Sequence, residues 1–330
     1  MEQPLVSVVM PTYHSEKHLA RAISSILIQT YKNLELIIVS DEISEREHSI
    51  IREYCCADSR ISHIENKTRL GLVKSLNLGI SVARGKYIAR MDADDYSYPQ
   101  RIEKQVAYME EHPEVGVCGA GYIYVDKGIR RKPIFLPEHT EDIVMTAFLW
   151  GCPICHPVVM MRADFLKTLE GPYSGKYPQA EDYYQWIRCI GKTKMVNLQK
   201  VLLDYHITGE NICSVFTKSQ SVQSAAIKQE AAAILGFPMR RKDEPLELWY
   251  LRLKAHNDEH LVFNKTKFNT MLAEGYYDHC LRFCRYGMKA WIMYWSSALS
   301  WLNKLTLKRK IKFLGACILH KQLGPNPEGQ

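Results

Sequence analysis

The sequence has no long hydrophobic run. Its longest uncharged stretch near the C-terminus, residues 290–303, holds fourteen residues, whereas a membrane-spanning helix needs about 20 apolar ones. The opening Met1-Glu2-Gln3-Pro4 has neither a basic n-region nor an apolar core, so no secretory leader is expected. Internal repeats and low-complexity segments are absent. The ten cysteines lack framework spacing, which predicts reduced thiols in a cytoplasmic protein. Acids are scarce at the end of the chain: residues 280–330 carry nine Lys/Arg against the single acid Glu328, which is +8 of a total of +7 and leaves the rest near neutral. A nucleic-acid binder would spread such charge over a whole domain, so no nucleic-acid partner is expected. A localised basic end suits an anionic membrane surface.

What is present is an alternation of apolar runs and amphipathic stretches. Leu5-Val-Ser-Val-Val-Met10 reads as a buried strand closed by Pro11. Ser15 is placed to cap a helix over residues 16–30, with Leu19, Ile23, Ile26 and Leu27 on its apolar face. Leu34-Glu-Leu-Ile-Ile-Val39 is a second strand ending at Ser40-Asp41, followed by a helix over residues 45–57 and a short strand over residues 61–64. Residues 71–83 have helical period with Gly79 inside it. Lys86-Tyr-Ile-Ala-Arg-Met91 is a fourth strand that runs into Asp92-Ala-Asp-Asp95. Strand–helix alternation predicts an α/β fold with a parallel, doubly wound sheet. Such sheets bind ligands beyond the carboxyl ends of their strands, so Pro11-Thr12-Tyr13, Ser40-Asp41 and Asp92–Asp95 are expected at one crevice. A helix over residues 101–111 and strands over residues 115–125 follow, and the pattern is mainly helical from about residue 219.

Three carboxylates at one strand tip repel one another unless a cation compensates. Hard oxygen ligands at a crevice suit Mg²⁺ or Mn²⁺, which keep positions for substrate phosphates.

Five stretches carry a resemblance: Val6-Ser-Val-Val-Met-Pro-Thr-Tyr13, Glu35-Leu-Ile-Ile-Val-Ser-Asp41, Gly71-Leu-Val-Lys-Ser-Leu-Asn-Leu-Gly79, Ala83-Arg-Gly-Lys-Tyr-Ile-Ala-Arg-Met-Asp-Ala-Asp-Asp95 and Ala180-Glu-Asp-Tyr-Tyr-Gln-Trp186. In this order and spacing the chain resembles the inverting, GT-A-fold glycosyltransferases of family 2, over residues 4–206, and is most similar to bacterial enzymes of capsule, exopolysaccharide and lipopolysaccharide synthesis. The resemblance implies a Rossmann-like GT-A domain with a nucleotide-sugar half (1–98), an acceptor and catalytic half (99–218) and a helical extension (219–330).

It also implies roles. Pro11, Thr12 and Tyr13 would pack on the donor's nucleoside. Asp41 would hold the base, although the usual second acid is missing and Glu42-Ile43 replaces the usual Gly-Ser. Arg69 and Lys74, flanking Gly71, could contact donor phosphate. Asp94 would ligate the metal directly, and Asp92 would contact ribose or metal. Asp95 would support Arg101 or a helix cap. Asp182 would be the base that deprotonates the acceptor hydroxyl, with Glu181 positioning it. His156, Trp186 and Arg188 would lie on the acceptor side. The implied partners are a nucleotide-diphosphate sugar, UDP-linked by preference, and a glycan or lipid-linked acceptor.

Other patterns carry less. Cys152-Pro-Ile-Cys155-His156 has c-type haem spacing, but that use requires export. His256 and His260 lack the Glu of a metalloprotease helix. Gln185-x-x-Arg188 is followed by Cys189 where processive synthases carry Trp, and no channel-forming helices exist, which favours transfer of single sugars. A nucleotidyltransferase would show a Gly-rich basic loop where Pro11–Ser15 stands, and a non-catalytic sugar-nucleotide binder would be expected to lose Asp94 or Asp182. Beyond residue 290, Trp291, Tyr294, Trp295, Trp301 and Leu302 share one helical face beside Lys308-Arg-Lys310. That reads as an interfacial anchor on the inner face of the plasma membrane.

Overall fold

A computed structural model describes residues 3–208, 217–241, 244 and 246–272. The aromatic-basic segment beyond residue 290 lies outside the described residues. In chain order the elements begin β1 (Val6–Thr12), α1 (Leu19–Leu27), β2 (Leu34–Asp41), α2 (Glu45–Ala57), β3 (Ile61–Asn66), α3 (Leu72–Val82), β4 (Tyr87–Arg90), β5 (Tyr96–Ser97) and α4 (Arg101–Glu111). They continue with β6 (Val115–Asp126), β7 (Ile129–Ile134), α5 (Thr140–Leu149), a 3-10 turn (His156–Val158), β8 (Met160–Arg162), α6 (Ala163–Lys167), α7 (Glu181–Cys189), β9 (Lys194–Ile207), α8 (Thr217–Ile234) and α9 (Leu246–His260). These residues fall into two compact units. The first runs to Ile227 without Phe148–Trp150, and the second joins Phe148–Trp150 to the chain from Lys228 onward.

The nine strands described form one sheet in the order β3-β2-β1-β4-β8-β6-β9-β5, with β7 on β6. Strands β3, β2, β1 and β4 are mutually parallel, and β8 runs antiparallel to β4. Every residue of β1, β2 and β4 is buried, which is why they read as continuous apolar runs rather than alternating ones. Helix α1 supplies wholly buried Leu19, Ala22, Ile23 and Ile26. Gly79 lets α3 approach the sheet: a Cβ there would lie 2.5 Å from Val9 Cγ1.

Two expectations change. Strand β1 extends past Met10 through Pro11 to Thr12, paired with Val39 and Ser40. Helix α1 starts at Leu19, with no side-chain cap. Ser15 instead donates its N–H to Glu47 Oε1 (2.7 Å) and its hydroxyl to the Tyr13 carbonyl. Glu47 also closes a capping box with Ser44 at the start of α2 and accepts from Thr12 Oγ1 (3.0 Å). One buried carboxylate therefore ties the end of β1 to α2.

A polar scaffold holds the far end of β4. Arg101, wholly buried, donates Nη2 to the Arg90 and Val159 carbonyls (2.6 and 3.2 Å). Gln105 donates to the Cys118 and Val158 carbonyls. Gln29, just past the end of α1, donates to Tyr98 O and accepts from Ile102 N. Each buried group is satisfied, so the network fixes the chain on both sides of the acid-rich turn.

Candidate active site

Because β1, β2 and β4 are parallel, their carboxyl ends share one edge of the sheet. At that edge Pro11 and Thr12 are buried, and Thr12 is committed to Glu47. Tyr13 is 39% exposed, with the Arg69 guanidinium 4.3 Å from its ring centroid, a cation–π pair that presents a flat face to solvent. Asp41, at the end of β2, accepts the backbone N–H groups of Leu70 and Gly71 at 2.7 Å each, with Asn66 Nδ2 at 3.4 Å. It thus fixes the entry to α3, where Gly71 has φ +81°. Lys74 is exposed on the first turn of that helix.

The turn after β4 gathers the three acids: carboxylate oxygens of Asp92, Asp94 and Asp95 lie within 4.8 Å of one another. Asp92 is gripped through both oxygens by the buried Arg90 guanidinium. The backbone carbonyl of Asp94 accepts from Arg21 (2.5 Å). Asp95 accepts the His206 backbone N–H (2.8 Å) through Oδ1, while its Oδ2 is buried with no hydrogen-bond partner among the described residues. The expected support of Arg101 by Asp95 is replaced by this bond to β9, since the Arg101 guanidinium bonds to Gln105 and to carbonyls. Burial, then the neighbouring carboxylates, raise the other two acids of the turn: Asp94 to about 7, and Asp95 well above its ordinary range. Excess negative potential with an unsatisfied oxygen fits a hard divalent cation.

The second acidic pair opens α7. Glu181 is 5% exposed, and its Oε2 has no hydrogen-bond partner among the described residues. Burial, then Asp182, push it up to about 8. Asp182 is half-buried. Its Oδ1 accepts the Tyr183 N–H at 2.6 Å and its Oδ2 lies 3.4 Å from Cys152 Sγ, while burial raises its carboxyl. His156 Nδ1 stands 3.8 Å from Glu181, and its Nε2 bonds to Tyr173 OH at 2.8 Å. Burial, then the Arg90 charge, hold this imidazole well below its usual range, so it is neutral. Asn77 of α3 clamps Tyr173 by bonding both its N–H and its carbonyl.

Trp186 and Arg188 do not reach the site surface. Trp186 is wholly buried, edge-on to His156, and presents no face to an acceptor. Arg188 spends its donors on the carbonyls of Glu170, Gly171 and Pro172 and on Gln185. Both brace the loop and helix that carry the acids. Cys152 and Cys155 are free thiols, and His156 is committed to Tyr173.

The two acidic groups share a neighbouring positive charge: Arg90 acts on Asp94 and Asp95 and also on Glu181 and Asp182. The profile of glycosyl transferase family 2 matches residues 7–169. The putative glycosyltransferase EpsE of Bacillus subtilis is 42% identical over 203 residues, 60% of this chain and 72% of its own length. The chain belongs to glycosyl transferase family 2. A further relative of this family 2 chain is the Escherichia coli UDP-Glc:alpha-D-GlcNAc-diphosphoundecaprenol beta-1,3-glucosyltransferase WfgD. It is 31% identical over 225 residues, 67% of this chain and 80% of its own.

Two solved structures share the GT-A fold of this family 2 enzyme. Staphylococcus aureus TarS with UDP-GlcNAc has a TM-score of 0.57 at 17% identity, covering 97% of this chain and 81% of that one. The mannosyltransferase PcManGT of Pyrobaculum calidifontis with GDP-Man and Mn²⁺ has a TM-score of 0.53 at 13% identity, covering 97% and 88%. The family match and the named relatives make the chain a glycosyltransferase. Sequence reasoning missed Arg90, Tyr173, Cys152, Arg21 and His206 in this site. Only Arg90 left a signal, as a charge inside an otherwise apolar strand.

Proposed function

We propose that this glycosyltransferase moves one sugar from a nucleoside-diphosphate sugar, UDP-linked by preference, to a hydroxyl of a glycan or lipid-linked acceptor, with inversion. The observation that carries the reading is the meeting of two acidic groups, Asp92/Asp94/Asp95 and Glu181/Asp182, around Arg90. The donor's diphosphate belongs to the first group and the attacking hydroxyl to the second.

Asp94 would hold a Mn²⁺ or Mg²⁺ ion, with Asp92 close by. That ion, when bound, offsets the negative charge that grows on the departing diphosphate. Tyr13 and Arg69 present a surface for the nucleoside, and Lys74 stands exposed on the first turn of α3, where a donor phosphate would be favoured. On the other side, Asp182 takes the proton of the acceptor hydroxyl as its oxygen bonds to the anomeric carbon and the bond to diphosphate breaks. One displacement inverts the configuration. The division of labour follows from hydrogen bonding: Asp182 has a donor at each oxygen, which favours its ionised form, whereas Glu181 is more buried and keeps a proton. Neutral His156 and Tyr173 wall off the pair from behind.

WfgD is named for a diphosphoundecaprenol-linked acceptor, which supports a lipid-linked acceptor here and a role in bacterial surface polysaccharide. No described helix is long and apolar enough to cross a membrane. Attachment to the inner membrane face through the segment beyond residue 290 is part of this proposal, and loss of vesicle sedimentation on deleting residues 290–330 tests it. The activity itself is tested by a panel of sugar nucleotides with Mn²⁺ and no acceptor. Release of nucleoside diphosphate supports it. Formation of nucleoside triphosphate and sugar 1-phosphate on adding pyrophosphate would indicate a nucleotidyltransferase, and binding without turnover a non-catalytic sugar-nucleotide binder.

A further inference from the structure

Cys152 lies on the loop between α5 and the His156–Val158 turn, on the exposed side of the acidic pair. Its Sγ is 3.4 Å from Asp182 Oδ2 and 3.3 Å from the Ile154 carbonyl. A thiol carries one proton, and a charged carboxylate outcompetes a neutral carbonyl for it. The thiol stays protonated at neutral pH, because desolvation and then the Asp182 charge push it well above its ordinary range. The Tyr183 N–H occupies the other oxygen of Asp182, so each carboxylate oxygen has one donor and the plane of the group is fixed. Next door, Glu181 Oε2 is buried with no such donor among the described residues. Behind the loop, Trp186 is wholly buried and bears on the same sulfur.

We infer that Cys152 is a positioning residue for sugar transfer: its S–H holds Asp182 Oδ2 and keeps Asp182, rather than Glu181, the ionised member of the pair. The inference rests on the reading of Asp182 as the base. The charged and titratable groups facing Asp182 are Arg90 from β4, Glu181 from its own helix, and Cys152, Cys155 and Tyr173 from the loops around it. Of these, Arg90 and Cys152 favour the carboxylate.

Two measurements on the full chain test this separately. The first needs no substrate. Iodoacetamide labelling of Cys152, followed by peptide mass spectrometry between pH 6 and 10 (a span of about two units on either side of a free thiol's range), reports the thiol directly. In Asp182→Asn the thiol loses the neighbouring charge, so labelling near neutral pH speeds up by about threefold to tenfold. Unchanged labelling overturns the inference, whichever residue is the base. The second measurement is the pH profile of nucleoside diphosphate release from UDP-glucose, UDP-GlcNAc and GDP-mannose. Cys152→Ala lowers kcat by about threefold to tenfold with donor KM unchanged, and moves the acid limb upward. Cys152→Ser, which restores a donor, follows the wild type. A Cys152→Ala profile that superimposes on the wild type overturns the positioning role. Full activity in Asp182→Asn instead overturns the base reading beneath it.

Discussion

The Arg90 guanidinium holds both carboxylate oxygens of Asp92 from a position that is 4% exposed. A charge in that position is tolerated only because it is paired; its Nη groups face Asp92, and its field reaches the Glu181/Asp182 pair. The acids of the turn after β4 and those at the start of α7 are thus separate in sequence but share one electrostatic centre.

Arg90→Lys keeps the charge and loses the fork that grips Asp92. Donor affinity in the presence of Mn²⁺ should fall about tenfold or more by calorimetry, and Arg90→Ala should cost about 3–5 kcal/mol of stability in urea melts, because Asp92 is left without its partner. Wild-type donor affinity in Arg90→Lys would show that the fork is dispensable.

The raised acids make stability depend on pH in a definite direction. Glu181 rises from 4.5 to about 8 and Asp94 from 3.8 to about 7 on folding. A group raised in the folded state favours folding below its unfolded pKa, and that contribution is lost as pH climbs through the folded value. Metal-free protein should therefore melt at falling temperatures as pH rises from about 4 to about 8, and Mn²⁺ should restore the loss at the upper end. A flat melting profile across that range would contradict the burial of these acids.

Asp182→Asn should retain donor binding and lose transfer by about 10²-fold to 10⁴-fold, the usual contribution of a general base. Glu181→Gln, which mimics the protonated form, should lose far less. Initial rates with a saturating donor distinguish the two, and a reversed order would exchange their roles.

Gly79→Ala offers a test of the fold alone. Alanine usually favours a helix interior, but its methyl would lie 2.5 Å from Val9 Cγ1 and 3.1 Å from Val39 Cγ2. Overpacking should win, destabilising the protein by about 1–3 kcal/mol in chemical denaturation.

Much of this was legible in sequence for a physical reason. Strands buried on both faces spell continuous apolar runs, so β1, β2 and β4 announced themselves, and with them the polar tips at Thr12, Asp41 and Asp92. Helix α1 starts three residues later than the pattern around Ser15 predicts: the Ser15 hydroxyl turns back to the Tyr13 carbonyl instead of capping, and its N–H binds Glu47, a bond 32 residues distant that no local pattern encodes. Asp41 looked like a group awaiting a base, yet its carboxylate binds the backbone at Leu70 and Gly71. The contacts of Tyr173 and Cys152 leave no trace in the sequence for the same reason: each matters only through a partner brought from another element, His156 for one and Asp182 for the other.

Calorimetric titration of UDP into the wild type and Asp94→Asn, with and without Mn²⁺, bears most directly on the proposal that the acid turn after β4 holds the donor through a cation. The wild type should bind UDP only when Mn²⁺ is present, and Asp94→Asn should bind it weakly in either case. Equal UDP affinity in all four titrations would contradict the account.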